Sequence, residues 1–149
     1  MRKVPRLMTD DEIKLYNYDQ TKYNVKSYFS KYRNYKDKLD LIKDRYSGSL
    51  SNDNMGIFSS NISNPTANKV EQSERYNNYI DLMDKHITVL KNHLTKDEKI
   101  ILKMSILSSY TDEAVCEQLS IYIQNFYQRK KSTYIKVACY FGIDVEIDT

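Results

Sequence analysis

Polar and basic side chains that suit contact with nucleic acid are concentrated in one stretch near the C-terminus. The four basic residues between positions 118 and 143 are Arg129, Lys130, Lys131 and Lys136, and this span contains no acidic residue. A cationic stripe on a helix is typical of phosphate binding. The span also carries amide and phenol groups that can bond base edges or phosphates; these belong to Tyr122, Gln124, Asn125, Tyr127 and Gln128. A solvated helix face is the alternative interpretation of the charges.

Helix signals around this stretch predict a short helix, a tight connection and a longer basic helix. A helix capped by Thr111 ends at Leu119, and the next begins at Ile123, with Gly142 suited to its C-terminal cap. A further helix begins upstream at the capping box Thr95–Glu98. This order is typical of a helix-turn-helix, in which the longer helix enters the major groove.

Packing of the short helix across the longer one would leave one face of the longer helix free for DNA. The predicted contact uses apolar side chains of both helices and the connection, namely Val115, Leu119, Ile121 and Phe126. On the free face, the amides and phenols would contact bases, while the four basic residues would bind phosphate and make the affinity depend on salt. A three-helix packing module without DNA contact is the alternative.

Two longer helices with heptad spacing are predicted upstream. The first runs from Thr21 to Tyr46 and the second from about Ala67 to Leu94, joined by a loop over 47–68, while a capping box at Thr9 begins a short helix over about 9–18. The long helices could form an antiparallel hairpin or pair with a second copy. Their apolar seams are Val25, Tyr28, Tyr32, Tyr35, Leu39, Ile42 and Tyr46, and Tyr76, Ile80, Met83, Ile87, Leu90 and Leu94.

Composition favours an all-α fold. The 149 residues include only 3 Gly and 2 Pro, which is too few for the many turns of a β-sandwich or for a Gly-rich phosphate loop. No apolar run approaches a membrane span of about 18 residues, and the N-terminus has no signal-peptide core. The net charge of +3 is uneven, because residues 1–46 hold 12 basic and 7 acidic residues. We therefore expect a soluble intracellular protein.

No catalytic or cofactor-binding pattern is visible. Cys116 and Cys139 are expected to be free and buried in helical patterns. His86 and His93 are seven residues apart, which is too far for a shared metal ion without a further ligand. We therefore predict that the chain is not an enzyme and that it uses no metal and no cofactor.

The residues from Leu119 to Gly142 resemble the C-terminus of phage late-gene transcriptional regulators of the RinA, ArpU and Ltr type, whose C-terminal domain is similar to sigma-factor region 4. The segment from Leu94 to Leu102 resembles the first helix of that domain. The family usually has Ser where this chain has Tyr122, and often an apolar residue where it has Arg129. The matching elements are the apolar Leu119 and Ile121, the aromatic Phe126-Tyr127, the basic Arg129-Lys130-Lys131, and the ends Val137-Ala138 and Phe141-Gly142.

The resemblance implies a cytoplasmic activator of late operons for packaging, structural or lysis genes in a bacterial host. Its partners would be double-stranded DNA and, in addition, RNA polymerase, a second copy in a homodimer, or an inhibitor protein. The expected organisation is a helical hairpin or coiled-coil part over 1–94 and a three-helix helix-turn-helix domain over 95–149. Two alternatives stay open: an adaptor that acts through the tyrosine-rich helices, and a DNA-packaging recognition subunit.

Overall fold

The computed structural model describes residues 4–46 and 63–148, and these residues confirm the predicted all-α class. Within them no strand forms, and a single antiparallel bridge joins Tyr16 to Glu146. A π-helical turn, Leu102–Ile106, directly follows the fourth helix. The α-helices are α1 (Asp10–Ile13), α2 (Tyr18–Tyr46), α3 (Ser63–Lys91), α4 (Lys96–Ile101), α5 (Asp112–Leu119) and α6 (Ile123–Phe141). Residues 47–62 of the predicted loop over 47–68 lie outside the described residues. Residues 63–68, the last six of that loop, belong to α3.

Both predicted capping boxes form. At α4, the Glu98 amide donates to the Thr95 hydroxyl (3.3 Å) and the Thr95 amide donates to the Glu98 carboxylate (2.9 Å). At α1, Thr9 and Glu12 exchange the same two bonds. Helix α1 ends at Ile13 rather than near 18, because the chain then extends into the bridge at Tyr16.

The chain divides into two compact units that do not follow the predicted boundary between 94 and 95. The terminal unit comprises Met1–Ser30 and His86–Thr149, and the middle unit comprises Lys31–Lys85. The terminal unit joins both ends of the chain, because the Met8 amide donates to the Ser132 hydroxyl (3.1 Å). The Asn17 amide also donates to the Val145 carbonyl (2.8 Å), so the residues that follow α6 are part of the packed structure.

In the middle unit, α2 and α3 pack against each other within one chain. The Tyr32 hydroxyl donates to the Asp84 carboxylate (2.5 Å), and the Tyr35 ring lies 5.2 Å from Tyr79 and 4.5 Å from Tyr76. A later residue of α2 contacts an earlier residue of α3, so the two helices run antiparallel. Of the two arrangements that the sequence allowed, this is the intramolecular one.

The apolar seam predicted for the second long helix is confirmed, since all six of its side chains are buried. In α2 the prediction is partly wrong. Val25 and Tyr32 are buried, but Tyr28 is 38% exposed, and Phe29, which the seam omitted, is fully buried. The reason lies in the terminal unit, where Phe29 packs edge-to-face against Phe141 at a centroid distance of 5.5 Å.

Helix α6 is the central helix of the terminal unit. Its side chains are buried without interruption from Ser132 to Ile135, and again at Val137 and Ala138. A helix that is buried on all sides forms the middle of a domain rather than its surface. As predicted, Gly142 ends it in the left-handed conformation (φ 72°). The first two turns of α6 and its last turn lie at the surface.

Two further findings concern the whole of the described chain. Among the described residues, no helix combines the length and apolarity that a membrane crossing requires. Cys116 is buried as expected, whereas Cys139 is exposed, because the last turn of α6 reaches the surface beside Tyr16.

Candidate nucleic-acid interface

Helices α4, α5 and α6 enclose a small apolar cluster that fixes the start of α6. Phe126 and Val115 are fully buried in it together with Ile101, and Leu119 and Ile121 pack against its edge. The four side chains through which the sequence predicts the short helix to pack on the longer one all belong to or border this cluster. Because Phe126 anchors the inner side of α6, its neighbours along the helix are directed outward.

The connection between α5 and α6 is a tight turn built on Ser120. Ser120 takes the left-handed conformation (φ 55°), its amide donates to the Glu117 carbonyl (3.2 Å), and the Ile121 amide donates to the Cys116 carbonyl (3.2 Å). This pair of bonds is a Schellman motif, here formed without glycine. The turn sets the direction in which α6 starts.

The first two turns of α6 carry the exposed polar groups that the sequence predicts for base contact. Gln124, Asn125 and Tyr127 are exposed, and Tyr122, at the N-cap position, is 79% exposed. The Tyr122 side chain makes no capping hydrogen bond. The first amide groups of α6 therefore have no side-chain cap, and such groups favour an anionic partner.

Gln128 is bound within the chain. Its amide nitrogen donates to the Met8 carbonyl at 3.0 Å, so the N-terminal arm, residues 4–9, lies along this side of α6. A role for Gln128 in base contact would require this bond to break. The sequence gives no local signal for the contact, since the two residues are 120 positions apart.

Three of the four basic residues predicted to bind phosphate form ion pairs within the chain instead. Arg129 Nε lies 3.0 Å from Asp97 Oδ2, and one guanidinium nitrogen also donates to the Asn125 carbonyl (2.9 Å). Lys130 is buried, and its Nζ lies 3.0 and 3.1 Å from the two oxygens of Asp112. Phosphate binding by either side chain, as the sequence predicts, would have to compete with an aspartate of the same chain.

Lys136 takes part in the most extended hydrogen-bond network of these cations. Its Nζ donates to Glu98 Oε1 at 2.6 Å, and its side chain is only 17% exposed, whereas Glu98 is fully buried. Ser132 donates to the other Glu98 oxygen (2.5 Å), and the Arg6 carbonyl accepts a further bond from Lys136. This network joins α4, α6 and the N-terminal arm. Lys136 is therefore used to hold these three parts of the chain together, and the predicted phosphate contact would require these bonds to break.

Lys131 has different surroundings. Its ammonium lies 5.6 Å from the centroid of the Tyr18 ring, and in the described part of the chain it has no carboxylate partner. Tyr18 comes from the first turn of α2, and burial raises the pKa of its hydroxyl. Of the predicted phosphate contacts, Lys131 alone keeps an ammonium that is not used in an ion pair.

The acidic partners were visible in the sequence, but only as helix caps. Asp97, Glu98 and Asp112 stand in the first turns of α4 and α5, where negative charge is favourable next to the helix amides. The three pairs that they form with α6 span 32, 38 and 18 positions. One sequence signal could have predicted these ion pairs. The basic run of α6 lies close to two helices, α4 and α5, whose first turns are acidic.

Among the described residues, no group of three or more His, Cys, Asp or Glu side chains is arranged so that it could hold a metal ion. His86 instead lies beside Tyr140, with its Nδ1 3.2 Å from the phenol oxygen. Comparison with protein-family models, with curated proteins and with solved structures gives no match for this chain. The interpretation of the site therefore depends on its own geometry.

Proposed function

We propose that this chain is a sequence-specific double-stranded-DNA-binding protein that regulates transcription, with the first two turns of α6 as its reading surface. The observation that carries the proposal is the arrangement of α5, the Ser120 turn and α6. It anchors Phe126 inside and presents Gln124, Asn125 and Tyr127 outside. The N-terminal residues of a recognition helix are the ones that contact base edges in such modules.

The chemistry of this surface supports base contact. Gln and Asn side chains pair with adenine through two hydrogen bonds, and each such pair contributes about 1–3 kcal/mol of discrimination. The uncapped amides at the start of α6 suit a phosphate oxygen. Activation of phage late operons rests on the family resemblance of residues 94–143, and RNA polymerase or a second copy would be the further partner.

The adaptor alternative has less support from the geometry. It needs tyrosine surface on the long helices, yet the Tyr32, Tyr35, Tyr76 and Tyr79 side chains contact residues of the same middle unit. These rings are used to hold α2 against α3. The packaging alternative also needs DNA contact, and a map of binding sites in the genome would separate packaging sites from late promoters.

The test uses the exposed amides rather than Gln128 and Arg129, whose bonds to Met8 and Asp97 would confuse DNA contact with folding. The purified chain selects duplexes from a random-sequence pool, and we expect one enriched motif. The double variant Gln124→Ala with Asn125→Ala should lose the enrichment by at least tenfold while its circular dichroism stays helical.

A matched control removes the same two chemical groups elsewhere. Gln72→Ala with Asn78→Ala, both exposed on α3, should select the same motif as the wild type. If the wild type retains no duplex at low salt, the proposal is wrong. If the α6 variant selects as well as the wild type, the reading surface has been assigned to the wrong residues.

A further inference from the structure

A second surface lies next to the exposed start of α6, within the terminal unit. It is a cleft of about 620 Å³ between the first turn of α2 and α6, here called the Tyr18 cleft. Tyr127, on the proposed reading surface, is part of its lining, as are Lys22 and Lys131. The cleft therefore continues the candidate interface onto a part of the chain that the predicted helix-turn-helix domain does not contain.

Two ammonium groups converge on one aromatic ring in this cleft. Lys22 Nζ lies 5.9 Å and Lys131 Nζ 5.6 Å from the centroid of Tyr18. The ring is held in place by an edge-to-face contact with Tyr134, at a centroid distance of 6.2 Å. An aromatic face attracts a cation but carries no net charge, so the ring positions both cations without neutralising them.

The charges of the cleft do not cancel. It is lined by three lysines and two aspartates, and one aspartate, Asp112, is already paired with Lys130. That leaves Lys22 and Lys131 against Asp19, and neither lysine is within ion-pair distance of a carboxylate in the described part of the chain. Both ammonium groups therefore keep a positive charge that an anionic ligand in the cleft would neutralise.

We propose that the Tyr18 cleft is a contact for the phosphate backbone of the same duplex, with Lys22 and Lys131 as its two cations. The inference rests on the proposed function, because it takes DNA as the ligand. It adds a residue from α2, Lys22, that no pattern near α6 indicates. Of the basic run on α6, it assigns phosphate binding to Lys131 and not to its paired neighbours.

The experiment measures the affinity for a fluorescein-labelled 20-base-pair duplex of random sequence, by anisotropy, over a series of salt concentrations. Backbone contacts do not depend on sequence, so no operator is needed. The variant is Lys22→Gln with Lys131→Gln, which removes both charges and keeps the first two methylenes and a polar end in each side chain. Each lost phosphate contact lowers the slope of log affinity against log salt by about 0.9, so the slope should fall by about 2. Affinity at about 0.1 M salt should fall roughly ten- to a hundredfold.

Two controls separate a cleft contact from a general loss of charge. Lys91→Gln with Lys103→Gln removes two exposed lysines outside the cleft and should leave the slope unchanged. Lys22→Arg with Lys131→Arg keeps both charges and should restore most of the slope of log affinity against log salt. An unchanged slope in the cleft variant overturns this inference, even if the variant at Gln124 and Asn125 loses motif selection. Absence of binding by the wild type overturns the proposed function as well.

Discussion

The first two turns of α6 and the rest of the same helix use polar side chains in opposite ways. At the start, Gln124, Asn125 and Tyr127 are exposed and the helix end is uncapped. Further along, Ser132 and Lys136 bond to the buried Glu98. Basic residues in a sequence therefore do not by themselves identify a nucleic-acid-binding surface. Most of the basic run in α6 neutralises acids of the same domain, and the surface that remains is mainly neutral and polar.

The largest effect on the later turns of α6 is expected at the Glu98–Lys136 pair. Glu98→Ala removes a fully buried carboxylate and leaves the Lys136 ammonium with only carbonyl acceptors. Removal of one partner of a buried pair costs about 3–5 kcal/mol, so the free energy of unfolding should fall by that amount. Urea denaturation followed by circular dichroism at pH 7 measures it.

The control for this variant is Glu117→Ala, which removes an exposed carboxylate from α5. It should change the free energy of unfolding by less than about 0.5 kcal/mol. A loss below about 1 kcal/mol in Glu98→Ala would mean that the pair does not hold the later turns of α6. The contrast between the two parts of the helix would then fail.

A smaller effect is expected at the turn that directs the exposed part. Ser120 has a left-handed backbone (φ 55°), which is costly for residues with a Cβ. Ser120→Gly should therefore raise the free energy of unfolding by about 0.5–1 kcal/mol, because the relief of strain exceeds the entropy that glycine adds to the unfolded chain. Thermal unfolding by calorimetry measures the change.

The matched variant Ser120→Ala keeps the Cβ and should show no gain. If Ser120→Gly is less stable than the wild type, the turn is not strained in the way that its φ indicates. If the glycine variant is more stable and still selects the same DNA motif, the turn acts only by directing α6. That result would sharpen the view of the first two turns as a rigidly placed surface.

Local signals in the sequence predicted the helices around the site closely. The bounds of α5 and α6 follow from Thr111, Leu119, Ile123 and Gly142, because caps and apolar spacing act over a few residues. The start of α2 could also have been found, since the Asn17 side chain accepts from the Gln20 amide (3.1 Å), as N-cap residues do.

The use of each side chain at the site could not be predicted in the same way. Whether Lys130 or Lys131 is free depends on where Asp112 and Tyr18 lie after packing, and these are 18 and 113 positions away respectively. The same holds for Gln128, whose partner is the Met8 carbonyl. Tertiary packing joins parts of the chain that no local pattern connects, and it decides which polar groups remain for a ligand.

The smallest effect concerns the N-terminal arm that covers the later turns of α6. The Arg6 guanidinium bonds both oxygens of Glu12 (2.6 and 2.9 Å), and this bond, together with those from Thr9, lowers the pKa of Glu12 to about 2. A lowered carboxyl pKa adds stability above the unfolded value of about 4.3, and this stability is lost as the pH falls towards 2.

Arg6→Ala should raise the pKa of Glu12 towards its usual value, while the bonds from Thr9 keep it somewhat below. Arg6→Lys should lie between the two proteins, because lysine keeps the charge but not the forked geometry. Carboxyl-detected NMR titration measures the shift. A wild-type Glu12 that titrates near 4.3 would show that the arm is not fixed by this pair, and that α6 is covered by the Met8 and Lys136 bonds alone.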